Sequence, residues 1–275
     1  MHTRTQLAAD LRSLGLAGGD VVMAHASVRA IGEVAGGPDQ IHLALKDALT
    51  DSGTLLMYAS CPQYVDEVGR GNLSPAQEAD VLATLPAFDA RTARSSRDNG
   101  TLVEFFRTWP DSHVNEHPAR FVAWGAQAAH LLSRTPWNYA FGRDSALDRF
   151  VALDGKILFL GADHDTVTFL HYAEHIADIP GKRIARFKVP VLEHGERVWR
   201  DMEEFDTSGA GAHPHWPEHV FARIVDAHLS ASGNTGGAVG GAWCRLIRAR
   251  ELLDFTLPVL TRLAADPSAM VTIPG

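Results

Sequence analysis

One stretch near the amino end constrains the fold more than any other. Asp20-Val-Val-Met-Ala-His25 reads as a strand. A loop rich in small residues follows over 26–37. Pro38 and Asp39 then start a helix that runs to about Thr50, with Ile41, Leu45, Ala48 and Leu49 inward, and Gly53-Thr-Leu-Leu-Met-Tyr-Ala59 reads as the next strand. Strand, loop, helix and strand in this order make a parallel crossover unit. The loop leaves the carboxyl end of the first strand, where open α/β sheets bind ligands. It matches neither G-x-G-x-x-G nor G-x-x-x-x-G-K-[ST], so its spacing alone names no nucleotide.

A second stretch carries the chemistry. Lys156-Ile-Leu-Phe-Leu160 reads as a buried strand, Gly161 breaks it, and Asp165 or Thr166 is placed to cap a helix running through Ala177. Positions three or four apart share a helix face, so His164, Thr168, His171 and His175 form one stripe, with Asp165 and Glu174 beside it. Three readings follow. The stripe is a set of partly exposed histidines in a chain that holds 14 of them. Or His171-Tyr-Ala-Glu174-His175 is the inverted zincin pattern H-x-x-E-H, with both histidines on zinc and the glutamate as base, although no third ligand is identifiable. Or one histidine is a general base oriented by a carboxylate, serving acyl transfer or hydrolysis.

Length and composition set bounds. The 275 residues, 45% of them hydrophobic, allow one large α/β domain or two small ones. Residues 1–6 have no apolar run behind them, so no signal peptide is expected, and no segment reaches the length of a bilayer span. Cys61 and Cys244 lie far apart and form no C-x-x-C, which reads as free thiols in a reducing compartment. The formal net charge of −8, with no long Lys/Arg run, disfavours nucleic acid and suits a cationic ligand.

Elsewhere the spacing predicts helices over 5–14, 101–107, 126–133, 145–150, 216–229 and 249–263, and strands within 117–125 and 243–247. Arg186–Leu192 and Arg197–Met202 read as strands joined by a His194-Gly195-Glu196 turn. Residues 60–100 have weak periodicity and read as a functional or solvated excursion. Residues 232–241 are glycine-rich and read as mobile or tightly turning. No linker or repeat appears. The expected architecture is a single mixed α/β domain over 1–275, with a largely parallel central sheet flanked by helices and a small antiparallel β insertion.

Taken in order, the motifs resemble the aminoglycoside 3-N-acetyltransferases of the antibiotic N-acetyltransferase family. The resemblance is carried by His25-Ala-Ser-Val-Arg-Ala-Ile-Gly32, Gly36-Gly-Pro38, Gly53–Ala59, Pro86-Ala-Phe-Asp89, Arg97-Asp-Asn-Gly100, Asp165–His175, Ile179-Pro-Gly-Lys-Arg183 and Glu203-Glu-Phe-Asp-Thr207. It spans about residues 20 to 210. Two departures stand out: Asn115-Glu116 precede His117-Pro118 where members often have Arg-Ser, and Ser145-Ala-Leu147 replaces Ser-Pro-Leu.

The resemblance implies a cytoplasmic enzyme, monomer or homodimer, that uses acetyl-CoA and no metal to acetylate the 3-amino group of a 2-deoxystreptamine aminoglycoside. Other expectations are the same fold acetylating another small amine, a zinc hydrolase, or a non-catalytic binding module. Acetyl transfer to an amine needs an unprotonated nitrogen, and a histidine has the pKa suited to removing the proton. His171 is the expected base, as the resemblance also implies. Glu174, Asp165 or a more distant acid such as Glu116 is the expected orienting carboxylate. Thr168, one turn earlier, is a donor to the developing oxyanion or departing sulfur, or a helix hydroxyl bonded to a backbone carbonyl. The resemblance places acetyl-CoA against His25, Ala26, Ser27, Val28, Arg29, Ile31, Gly32, Gly36 and Gly37, with Ser145 also near. Loop N–H groups and the following helix N-terminus suit its phosphates. A polycationic acceptor calls for carboxylates, and Asp66, Glu67, Asp98, Glu203, Glu204 and Asp206 are available, with Tyr58, Asn99 and Phe205 beside them.

Overall fold

In a computed structural model, the structure describes residues 1–64, 68, 71–207 and 216–266. The crossover unit forms as its sequence dictates. Strand β1 (Val21–Ala26) leads through the helix Asp39–Leu49 to β2 (Thr54–Tyr58), and the two strands pair in parallel. Then come β3 (His113–Val114), β4 (Phe121–Gly125), β5 (Lys156–Leu160), the hairpin β6 (Ile184–Glu193) and β7 (Glu196–Phe205), and finally β8 (Gly237–Val239) and β9 (Ala242–Arg248). The main sheet has seven strands in the order β3-β4-β2-β1-β5-β9-β8. Its centre, β2-β1-β5, is parallel. The flanks pair antiparallel: β4 with β2 and β3, and β9 with β5 and β8.

Both faces of this sheet are covered, which is why its central strands read as unbroken apolar runs rather than alternating ones. Val22 and Ala24 of β1 point to one side, where Leu7, Leu11, Ile41, Leu45, Leu102 and Phe106 pack from three helices. Val21 and Met23 point to the other, against Phe150, Phe169, Leu170, Ile224 and Leu260. Each such fully buried side chain contributes about 1.5–3 kcal/mol by removal from water.

The β6–β7 hairpin is the small antiparallel insertion. Its register runs from Ile184 opposite Phe205 to Glu193 opposite Glu196. The turn residues His194 and Gly195 both have positive φ (54° and 85°), the backbone that a tight two-residue hairpin requires.

Three expectations change. The helix expected from Asp165 through Ala177 is split. Asp163 caps a single 3-10 turn over His164–Thr166, the buried Val167 leaves helical geometry at ψ 83°, and the helix proper is Phe169–Ile176. The break removes His164 from the stripe and turns its ring to Asp226, 2.6 Å away. Within 60–100 a helix forms over Pro75–Thr84, started by a Ser74–Gln77 capping box. The glycine-rich 232–241 segment contains β8, which pairs with β9.

Gly161 shapes the region where ligands would enter. It ends β5 at φ 65°, and a Cβ there would lie 2.7 Å from the Cβ of Ala30 and 2.8 Å from that of Ala242. Gly161→Ala should therefore cost about 2 kcal/mol or more of stability, through overpacking and a left-handed backbone together. Chemical denaturation checks this; an unchanged midpoint would show that the loop moves aside freely.

Candidate active site

The carboxyl ends of β1, β2 and β5 lie side by side, and two clefts open there. The first, of about 490 Å³, is built on the turn after β1. Its floor is Ala24, His25 and Ala26. Ser27 caps the short Val28–Ile31 helix by accepting from the Ala30 N–H at 3.3 Å. Ser27, Val28 and Arg29 form one wall, and Asp98, Asn99, Gly100 and Thr101 form the wall opposite. Gly100, at φ 82°, lets that wall approach: a Cβ would sit 3.0 Å from the Ala26 carbonyl oxygen. Ala162, Asp163, Thr166 and Thr168 close the third side.

Two polar groups of this cleft have no protein partner among the described residues. His25 Nε2 is buried and unbonded, and burial pushes the His25 pKa down to about 4, so the ring is neutral near pH 7. Thr168 is buried at the N-cap of the Phe169–Ile176 helix, yet its hydroxyl makes no cap bond and no bond to a backbone carbonyl.

The second cleft, of about 310 Å³, lies on the other side of Tyr58, which lines both. Ser60, Pro62, Pro118, Ala119 and Phe141 bound it on the sheet side. The β6–β7 hairpin supplies Ala185, Phe187, Met202, Glu204 and Phe205, and Asp206 and Thr207 follow. His171 projects into it from the same helix whose first turn carries Thr168. The helix thus shows one residue to each cleft, three positions apart.

His171 is held on every side. Its Nδ1 lies 2.7 Å from Glu174 Oε2, and Glu174 is buried. The rings of Phe141 and Phe221 pack at 5.3 and 5.1 Å. A carboxylate only accepts, so Nδ1 donates and the Nε2 lone pair is left as the acceptor. His175 differs: Nδ1 donates to the His171 carbonyl at 2.7 Å, and Nε2 lies 2.5 Å from Glu204 Oε1. Both His175 nitrogens are occupied by protein, so the two histidines do not converge as zinc ligands would. Among the described residues no group of three or more His, Cys, Asp or Glu is placed to hold a metal ion.

The structure places the other candidate residues as follows. Asp165 does not reach His171; its carboxylate binds the His219 ring at 2.9 Å and the Ala222 N–H at 3.3 Å. Glu116 is exposed and lines other clefts beside Arg91. Ile31 is fully buried in the core, and Gly32, Gly36 and Gly37 do not line the first cleft. Ser145 is buried as a helix cap, accepting from the N–H groups of Leu147 and Asp148. Asp98 and Asn99 belong to the first cleft rather than the second. Glu203 is turned to Arg186 and Tyr139, at 2.8 and 3.1 Å, and does not line the second cleft. Asp66 and Glu67 lie outside the described residues. Phe141 and Thr101 gave little sequence signal, whereas Gly100 and Thr207 close two of the motifs that carry the resemblance.

Comparison with known proteins agrees with this geometry. A model of the family described as aminoglycoside 3-N-acetyltransferase matches residues 23–261. The chain is 39% identical to aminoglycoside N(3)-acetyltransferase III of Pseudomonas aeruginosa, over 98% of this chain and 97% of that one. A solved structure of AAC-IIIb in binary complex with CoASH superposes with a TM-score of 0.87 at 42% identity, covering 94% of this chain and 96% of the other. AAC-VIa bound to sisomicin superposes with the same TM-score at 35% identity, over 94% and 97% of the two chains. With its matched length, fold and paired clefts, the chain is an acetyltransferase and belongs to the aminoglycoside 3-N-acetyltransferase family.

Proposed function

We propose that this enzyme transfers the acetyl group of acetyl-CoA to the 3-amino group of a 2-deoxystreptamine aminoglycoside and thereby confers resistance to it. The observation that carries the reading is the helix Phe169–Ile176 with its N-cap: Thr168 opens on one cleft and His171 on the other, with Tyr58 between them. The first cleft fits acetyl-CoA. It offers two unpartnered polar groups, His25 Nε2 and the Thr168 hydroxyl, and the N–H groups at the start of the Thr101–Thr108 helix. The second cleft fits a polyhydroxylated cation, with acids at Glu204 and Asp206 between the rings of Tyr58, Phe141 and Phe205.

Acetyl-CoA, when bound, supplies the acetyl group as an activated thioester. His171 Nε2 accepts the proton that the acceptor nitrogen loses as it bonds to the acetyl carbon. Glu174 holds the ring by Nδ1 and stabilises the imidazolium so formed. The Thr168 hydroxyl donates to the oxygen on which charge develops. His171 then gives up its proton as the departing thiolate becomes a thiol. In this reading the enzyme works in the cytoplasm, as monomer or homodimer, with no metal, nucleic acid or membrane. No helix among the described residues is long and apolar enough to cross a membrane.

The test is a thiol-release assay with acetyl-CoA against a panel of aminoglycosides and simpler amines, with the product located by NMR. One acetyl at N3 is the expected result. Turnover with simple amines alone would transfer the reading to another acceptor. Salt gives a second check. Attraction between exposed acids and a polycation fades as the Debye length falls from about 10 Å at 0.1 M to about 3 Å at 1 M. The acceptor KM should rise with salt, while kcat at saturating acetyl-CoA changes less. An acceptor KM that stays flat would separate the acids from acceptor binding.

A further inference from the structure

Resting on that proposed function, we infer that His175 is a positioning residue: bonded to Glu204, it makes the pair electrically neutral, so an acid that lines the same cleft as the base does not hold the reacting nitrogen as an ammonium. Both His175 ring nitrogens face oxygen acceptors, the His171 carbonyl at 2.7 Å and Glu204 Oε1 at 2.5 Å. Two protons are therefore needed on the pair, one along each contact. With both in place, imidazole and carboxylate sum to zero charge wherever the shared proton rests.

The rest of Glu204 is also engaged. Oε1 accepts the Phe205 N–H at 2.9 Å and Oε2 accepts the Ala140 N–H at 2.8 Å. The side chains of His175 and Glu204 are 1% and 12% exposed, so solvent does little to screen them. The neighbouring groups leave the sum unchanged. His117 is neutral, because its Nδ1 accepts from the Ala119 N–H while Nε2 donates to the Trp137 carbonyl. Glu174 is paired with His171. Lys182 donates to the His175 carbonyl at the helix end and packs over the Phe205 ring.

The physical need is specific to this reaction. Carboxylates attract a polycationic acceptor, but one with full charge beside the reacting nitrogen favours its ammonium form, which has no lone pair with which to attack the thioester. A compensated Glu204 still accepts hydrogen bonds and still fixes the Ala140 loop against β7. Ionic attraction is left to acids outside this pair.

His175→Gln tests this, because the amide keeps a donor toward Glu204 but cannot supply the second proton of the pair. The freed carboxylate should lower the acceptor KM by about fivefold at low salt and steepen its salt dependence, the scale of one partly exposed ion pair. kcat should fall by about tenfold, since more of the bound amine stays protonated. The KM for acetyl-CoA should not change. His175→Lys, which restores a cation, should return the acceptor KM and salt slope toward the wild-type values. An acceptor KM that rises in the Gln variant, or a salt slope equal to wild type, overturns the inference and leaves His175 a packing residue. Should neither variant fold, NMR of the unmodified protein counts protons on the pair, from the ring ¹⁵N and the Glu204 carboxyl ¹³C signals. Two protons are expected and one overturns the inference. Absence of aminoglycoside turnover by the wild-type enzyme would instead refute the proposed function, a result the proton count does not share.

Discussion

His171→Ala should leave the fold and acetyl-CoA binding intact and lower kcat by about 10² or more, the usual scale for loss of a general base. The separation of the clefts makes this a clean experiment. His171 lines the second cleft only, and among the described residues none that lines the first cleft bonds to its ring. Its side chain is partly exposed, so truncation leaves a space that opens to solvent rather than a sealed cavity. The KM for acetyl-CoA should therefore stay within about twofold, and acceptor KM should move less than kcat. Added imidazole should restore part of the rate, because the Ala variant leaves room beside Glu174. A purified variant with turnover near wild type would remove His171 from the chemistry, and the orientation by Glu174 would lose its purpose.

How far the site was legible in the sequence depended on how local each part is. His171 and Glu174 stand three apart on one helix, and helix geometry alone brings such positions together. Asp165 misled because the same rule was extended through Val167, where the chain leaves helical geometry and turns the acid toward His219. Ser145 shows the other limit of local reading. A Ser before a helix is first of all a cap, and here both N–H groups it satisfies are its own helix's. The Pro75–Thr84 helix escaped notice because none of its residues is buried, so it has no apolar period to read. Its start was written in the Ser74-Pro-Ala-Gln77 capping box.

The fold was legible where burial is complete on both faces, as in β1, β2 and β5, and less so at the sheet flanks. There β4, β9 and the three-residue β8 add antiparallel pairs that short or glycine-rich runs do not announce. The second cleft was the least legible part. It draws on Tyr58, Phe141, His171 and Glu204 from four separate segments, and only tertiary packing makes them neighbours. The pair of His175 with Glu204, 29 positions apart, is of the same kind.

Thr168→Val should lower kcat by about 10² to 10³, the range for loss of one oxyanion donor, with little change in either KM. Valine keeps the branched shape and removes only the hydroxyl, so the volume at this buried N-cap is preserved. The usual cost of such a change comes from a lost cap or a stranded partner. Neither applies, because the Thr168 hydroxyl makes no cap bond and has no protein partner among the described residues. Stability should thus shift by no more than about 1 kcal/mol. A hydroxyl on a largely buried residue that makes no protein hydrogen bond among the described residues and opens on the first cleft is what a donor reserved for a ligand looks like. Thr168→Ser separates the two roles the position allows. It keeps the donor and loses the methyl, so it should retain most of the rate if the hydroxyl acts on developing charge; if the methyl only packs the helix start, Ser should be the impaired variant and Val should stay near wild type. A Val variant within about threefold of wild-type kcat would show that charge on the thioester oxygen is stabilised elsewhere in the cleft, with the buried His25 ring and the N–H groups that open the Thr101–Thr108 helix the next groups to test.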